Sequence, residues 1–176
     1  KQLAAPLRLD PPVCELFLRG EGADNLLGLL PQRSFAPQQI ERAYSIARSA
    51  YEKALAYAES RKQGGGPIVR HQAMEIMLAD MAIRVEAARG LVWSAATSLA
   101  AGKPSLKLSS MAKTFASDGA LTNALDAIQI LGGYGYMQEY GVEKLLRDAK
   151  LTQIYEGTNQ INRFEIMEAI AAERAS

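Results

Sequence analysis

Met74-Glu75-Ile76-Met77-Leu78-Ala79-Asp80-Met81-Ala82-Ile83-Arg84-Val85-Glu86-Ala87-Ala88 repeats an apolar residue every three or four positions, the spacing that lines one face of an α-helix. Val92, Ala95 and Leu99 continue the same face. The pattern predicts one helix from about Val69 to Ala101, with Gly64-Gly65-Gly66-Pro67 before it and Gly102 and Pro104 after it. At 1.5 Å per residue it is on the order of 50 Å long, more than an ordinary globular helix. Met74, Met77 and Met81 read as core, and Trp93 falls within the same periodicity.

Outward from this helix the chain stays helical. Before it, Pro37 and Gln38 open a helix with Ile40, Tyr44, Ala47, Tyr51, Ala54 and Ala58 at helical spacing, ending at the glycine breaker. After it, a third helix runs from about Leu106 to Leu131 and stops at Gly132-Gly133. A short fourth covers about Val142 to Ala149, and a fifth runs from Thr158 to about Ala172. Long helices joined by short Gly/Pro loops give an all-α chain, an antiparallel four-helix bundle. Abundant Ala on the first three helices favours close approach. Their apolar surface exceeds what one bundle core needs, which points to helix contacts between subunits.

Residues 1–36 read differently. Pro6, Pro11 and Pro12 precede a short β-like stretch, Val13-Cys14-Glu15-Leu16-Phe17-Leu18, and Gly20 to Asn25 reads as turn. A lone strand cannot satisfy its backbone, so this segment is expected to be the remnant of a β-domain, with residues 37–176 as the helical domain.

Composition excludes several classes. The chain has 176 residues, 48% of them hydrophobic, enough for a real core. Twenty basic and 19 acidic residues are interleaved for a net charge of +1, giving no electrostatic case for nucleic acid or an anionic membrane. No apolar run reaches membrane-spanning length, and no signal-peptide core is visible. One cysteine, Cys14, leaves no internal disulfide and fits a reducing compartment, cytoplasmic or mitochondrial rather than secreted. One Cys and one His (His71) exclude a structural zinc site.

Chemistry concentrates in Ile154-Tyr155-Glu156-Gly157-Thr158-Asn159-Gln160-Ile161-Asn162-Arg163. Glu156 sits before a glycine at the mouth of the final helix, with Thr158 placed to cap it. Gln160 and Arg163 follow on the first turns, and Ile161, Phe164, Ile166 and Met167 are expected to anchor it. A carboxylate on such a rigid edge can serve as a general base. On local pattern alone Glu156 reads rather as an acid that complements the helix dipole. Gly132-Gly133-Tyr134-Gly135-Tyr136, after Gln129, reads as a helix cap and turn, or as backbone brought close to a phosphate-bearing ligand. It lacks the βαβ setting of a dinucleotide fingerprint. Arg61 and Lys62 form a solvated helix end or a grip on pyrophosphate. His71 has no nucleophile elbow to serve.

Several segments, in order and in register, resemble the C-terminal domain of the acyl-CoA dehydrogenases. They are Leu78-Ala79-Asp80-Met81-Ala82, Ser110-Met111-Ala112-Lys113, Gln129-Ile130-Leu131-Gly132-Gly133-Tyr134-Gly135-Tyr136, Glu143 to Lys150, and Tyr155-Glu156-Gly157-Thr158. Ala23 to Gly28 looks like the exit from that family's middle β-domain. The resemblance implies an FAD enzyme that desaturates an acyl-CoA thioester between Cα and Cβ, with electron-transfer flavoprotein as acceptor. Glu156 would take the α-proton while the β-hydrogen leaves as hydride to flavin N5. The Glu156 backbone N–H and a flavin ribityl hydroxyl would hold the thioester oxygen, and Gly157 would let substrate approach. Tyr155 would line the substrate pocket. Thr158 and Gln160 would touch FAD in their own subunit. Arg61, Gln72, Gln129, Gly132 and Gly133 would reach the FAD of a neighbouring subunit, in a homodimer or homotetramer. No residue is assigned to a metal.

The chain departs from the family at Gly64, where an aromatic is usual, and in the Leu30–Gln39 loop, which looks shortened and offers no secure counterpart of the arginine usual there. Arg42 is nearest to that arginine but out of register. Two readings follow. The chain is the base-bearing part of an acyl-CoA dehydrogenase, inactive in isolation, or a helical interaction module that kept the fold and lost the chemistry.

Overall fold

The computed structural model describes residues 37–175, with side chains from Ile40 onward. The β-remnant expected over residues 1–36, including Val13–Leu18, lies outside the described residues, as does the shortened loop up to Ala36. Five α-helices follow: α1 Pro37–Ser60, α2 Gln72–Ala100, α3 Leu106–Leu131, α4 Val142–Thr152 and α5 Asn159–Ala175.

The contacts give their directions. Ile40 and Ala43 at the start of α1 share a cluster with Ala112 and Ala116 of α3 and Ala88 and Ala95 of α2. Ala50, Ala54 and Ala58 share another with Ala127, Ile130 and Leu131, and with Leu78 and Met81. So α1 and α3 run the same way and α2 runs against both, an antiparallel step at each connection. Lys107 Nζ lies 2.5 Å from Glu173 Oε1 and Ser110 Oγ donates to Glu165 at 2.8 Å, while Asn159 meets Ser117; α5 therefore runs antiparallel to α3. In this arrangement α3 is the central helix.

Alanine makes the packing close. Ala50, Ala54 and Ala58 on α1 and Ala112, Ala116, Ala120 and Ala124 on α3 are fully buried, one per turn, so the backbones approach without large side chains between them. At the centre, Asn123 is wholly buried and donates to the carbonyls of Ala47 and Met81, both at 3.1 Å. Its Oδ1 accepts from Arg84, which also pairs with Asp126 at 2.7 Å. A buried amide satisfied at both ends ties three helices in one register.

Local chemistry moves some boundaries. Val69 lies in a 3-10 turn, Ile68–Arg70, and α2 begins at Gln72 after His71. Its 29 residues span about 43 Å. The glycine breaker is a small antiparallel hairpin, β1 Lys62–Gln63 with β2 Gly66–Pro67. Its turn residues Gly64 and Gly65 both have positive φ, 59° and 92°, as a two-residue hairpin requires. A Cβ at Gly64 would stand 3.2 Å from the His71 ring, which accounts locally for glycine at that departure. α4 extends to Thr152, where the buried hydroxyl bonds the Ala149 carbonyl at 2.6 Å.

One expectation fails. Ile161, Phe164 and Met167 do not anchor α5: they are 49%, 65% and 61% exposed. The fully buried residues of α5 are Asn159 and Asn162; Asn159 bonds Lys113, Ser117 and Asp118 of α3, and Asn162 bonds the Gly157 and Thr158 carbonyls. Trp93, too, stands partly in solvent, at 39% exposure. Among the described residues, no helix is long and apolar enough to cross a membrane.

Candidate functional site

The candidate residues fall at two places along α3. The first is the turn between α4 and α5. Glu156 has φ +52°, and it is the one non-glycine residue with positive φ among those described. Gly157 follows at +85°. For a side chain with a Cβ this left-handed conformation is strained by on the order of 1 kcal/mol and persists where the surroundings impose it.

Those surroundings are polar and buried. Lys113, only 7% exposed on α3, donates to the Gly157 carbonyl at 2.6 Å and to Asn159 Oδ1 at 2.7 Å. Asn162 Nδ2 donates to the same carbonyl and to that of Thr158, both at 3.0 Å. Asn159 Nδ2 reaches Ser117 Oγ at 2.8 Å and Asp118 Oδ1 at 2.7 Å. Asp118 also accepts from Gln153 at 2.7 Å and pairs with Arg163 at 2.6 Å. The Asn159 N–H closes the loop onto the Gln153 carbonyl at 3.1 Å. Thr158 caps α5, its Oγ1 accepting from the Ile161 N–H at 3.4 Å. Burial pulls the Lys113 ammonium below its usual 10.5, against the attraction of Asp118.

The Glu156 carboxylate is exposed and has no hydrogen-bond or ion-pair partner among the described residues. Its neighbour Tyr155 is half-buried, and its hydroxyl is buried without a partner among them. Burial lifts that phenol above 10.0; the Arg42 cation opposes the shift and the Glu156 carboxylate adds to it. Arg42, set aside on sequence register, is thus within electrostatic reach of Tyr155. Gly157 and Gln160 are exposed on the same turn and the first turn of α5.

The second place is where α1 and α3 end, fifteen residues beyond Ser117 on α3, on the order of 20 Å away. A groove of about 500 Å³ is lined there by Arg61, Gly132, Gly133, Tyr57, Tyr134 and Met137, among others. Gly132 caps α3 with φ +61°, its N–H bonded to the Gln129 and Ile128 carbonyls. A Cβ at Gly132 or Gly133 would meet nothing within 4 Å, whereas one at Gly135 would lie 2.8 Å from the Ile128 backbone. The first two glycines therefore leave open space, and the third is the one that packing demands.

Arg61 stands 5.9 Å over the Tyr134 ring and has no carboxylate partner among the described residues. Tyr134 in turn touches Tyr57 (centroids 6.3 Å apart) and Tyr140 (5.1 Å). An unpaired guanidinium, uncovered backbone and tyrosine rings suit a phosphate-bearing ligand with a planar group. Gln72 and Gln129 are exposed at the start of α2 and the last turn of α3, outside the groove lining. Tyr57 was missed by motif reading, although it lies one turn before Arg61 on the same face.

Comparison with known proteins gives the family of the helical domain. The family described as "Acyl-CoA dehydrogenase, C-terminal domain" matches residues 37–171. An acyl-CoA dehydrogenase of Bacillus subtilis is 57% identical over 125 residues, 71% of this chain and 33% of that protein. A cyclohexane-1-carbonyl-CoA dehydrogenase of Geobacter metallireducens is 46% identical over 162 residues, 87% of this chain and 43% of that one. The solved butyryl-CoA dehydrogenase of Megasphaera elsdenii superposes with a TM-score of 0.73 at 42% identity, over 76% of this chain and 36% of its own. This chain thus spans less than half the length of each of these relatives. It belongs to the acyl-CoA dehydrogenases, and its helices are the C-terminal domain of that family.

Proposed function

We propose that this chain supplies the catalytic base and part of the flavin site of an FAD-dependent acyl-CoA dehydrogenase. The observation that carries the reading is Glu156: an unpaired carboxylate on a strained turn that buried side chains hold in place. In this reading Glu156 removes the α-proton of an acyl-CoA thioester. Its backbone N–H donates to the thioester oxygen as negative charge develops there, and Gly157 lets the substrate come close. Tyr155 lines the pocket. FAD, held beside the base by Thr158 and Gln160, would supply a two-electron acceptor for the β-hydrogen as the Cα–Cβ double bond forms, with an electron-transfer flavoprotein as its own acceptor.

The residues fit such a cofactor. Thr158 and Gln160 contact FAD beside the base. Arg61, Gly132 and Gly133, with Gln72 and Gln129 nearby, hold the pyrophosphate and adenosine end. The separation of these sets along α3 supports the reading that the second set serves the FAD of another copy, in a homodimer or homotetramer. The exposed Ile161, Phe164 and Met167 favour such assembly.

The test is anaerobic addition of acyl-CoAs of several lengths to the flavin-loaded enzyme in which this domain is joined to those that complete the flavin site. The wild-type flavin bleaches with one of them, while Glu156→Gln stays yellow. Retained bleaching in Glu156→Gln would rule out the base assignment. A chain that occurs naturally at this length and assembles without flavin would favour the non-catalytic interaction module.

A further inference from the structure

Lys113 is the one charged residue buried among those described, and the packing of the bundle leaves its placement unexplained. It is 7% exposed, and its ammonium donates to two neutral oxygens, the Gly157 carbonyl and Asn159 Oδ1, with the Asp118 and Glu165 carboxylates attracting it only through space. A buried cation so served loses hydration that neutral acceptors replace only in part. An apolar side chain would fill the same place between α3 and α5 at less expense. What the ammonium adds is location. The carbonyl it holds is that of Gly157, so the bond fixes the Gly157–Thr158 peptide, the next one along from the Glu156–Gly157 peptide, and with Asn159 pins the C-terminal side of the turn that carries Glu156. The strained φ of Glu156 needs such a constraint.

We propose that Lys113 is the positioning residue of the base: by holding the Gly157 carbonyl and Asn159 it keeps Glu156 in the orientation for proton abstraction, without touching the substrate. The proposal rests on the reading of Glu156 as the base. Proton transfer falls steeply when a base is displaced by an ångström, so loosening this turn slows chemistry while leaving ligand contacts elsewhere intact.

The experiment compares wild type, Lys113→Met and Asn162→Ala in the same flavin-loaded enzyme. Asn162→Ala leaves Lys113 in place and removes only the second donor to the Gly157 carbonyl. Two quantities are measured: hydrogen exchange at the backbone amides of residues 154–158, and flavin reduction by an acyl-CoA carrying hydrogen or deuterium at Cα. In Lys113→Met, exchange in the turn rises at least tenfold with exchange in α2 and α3 unchanged. Reduction per bound flavin falls on the order of 10- to 100-fold, and the α-deuterium isotope effect grows. Binding of a non-reducible acyl-CoA thioether changes less than about threefold. Asn162→Ala moves the same readouts in the same direction by smaller factors, which decides the matter if Lys113→Met does not fold. Unchanged exchange in the turn overturns the proposal. So does faster exchange with an unchanged reduction rate and isotope effect. A wild-type flavin that no acyl-CoA reduces defeats the functional reading and the catalytic consequence together, and exchange in the turn then still decides whether Lys113 holds it.

Discussion

At the Lys113–Asp118 end of α3, side chains of buried residues reach out and fix a short turn by its carbonyls and amides. At the Gly132 end nothing reaches out: the groove is uncovered backbone, one unpaired arginine and overlapping tyrosine rings. The same helix frames both. In the first region Lys113, Ser117, Asp118, Asn159 and Asn162 are satisfied from within the chain; the Glu156 carboxylate and the hydroxyls of Thr114 and Tyr155 are not. The second leaves its strongest group for something else to satisfy. Satisfied buried networks confer rigidity, and a base needs rigidity. Open surfaces with unpaired charge confer binding, and a phosphate site needs that.

The largest expected effect separates the two regions. Glu156→Gln lowers flavin reduction by about 10³-fold or more with flavin content unchanged. Arg61→Ala does the reverse: flavin affinity falls on the order of tenfold, a lost charge-assisted contact, and reduction per bound flavin is unchanged. Stopped-flow absorbance and flavin titration distinguish them; if both variants fail in the same way, the two ends are not functionally distinct. Next come the glycines of the groove. Gly135→Ala drives a methyl into the Ile128 backbone and lowers stability by about 2 kcal/mol, read as a drop in Tm. Gly133→Ala meets nothing within the chain, so Tm holds within a degree or two and only flavin binding weakens. A stable, fully flavin-loaded Gly133→Ala protein would mean that this backbone faces no ligand.

The smallest effects appear in alkaline denaturation curves, where Lys113 and Tyr155 pull in opposite directions. The folded pKa of Lys113 lies below 10.5, so between the two values the unfolded chain binds more protons and stability rises with pH. Lys113→Met removes that rise. The folded pKa of Tyr155 lies above 10.0, so beyond 10.0 the folded chain keeps a proton that the unfolded chain has lost, and stability falls as pH rises. Tyr155→Phe removes that fall. It also deletes an unpartnered buried hydroxyl, so stability at neutral pH is unchanged or slightly higher. Denaturant midpoints across this range check both signs.

Much of this was legible in the residues. The limits Leu106–Leu131 of α3 follow from periodicity and the two glycines after it, and Thr158 as a cap follows from residue type. The start of α2 was misplaced because Ile68 and Val69 are apolar and helical in spacing, yet pack from a 3-10 turn onto the end of α1. The apolar residues of α5 were assigned inward on hydropathy alone. Whether a face is buried depends on what stands opposite, and opposite α5 stand Lys113, Ser117 and Asp118. Lys113 itself sat unremarked within a family segment, since a single lysine in a helix looks like a solvated charge.

The sequence by itself therefore determined the helices and their order, because apolar period, caps and glycine breaks act over a few residues and are written locally; the family and the candidate base came instead from the resemblance of five segments to known proteins. Only the tertiary structure decided that Glu156 occupies a left-handed conformation, that a buried lysine 44 positions earlier than Gly157 holds its carbonyl, and that Arg61 and Tyr134 share one groove. Those facts depend on which residues the antiparallel packing brings face to face, and contacts between distant segments leave no periodic trace in the chain.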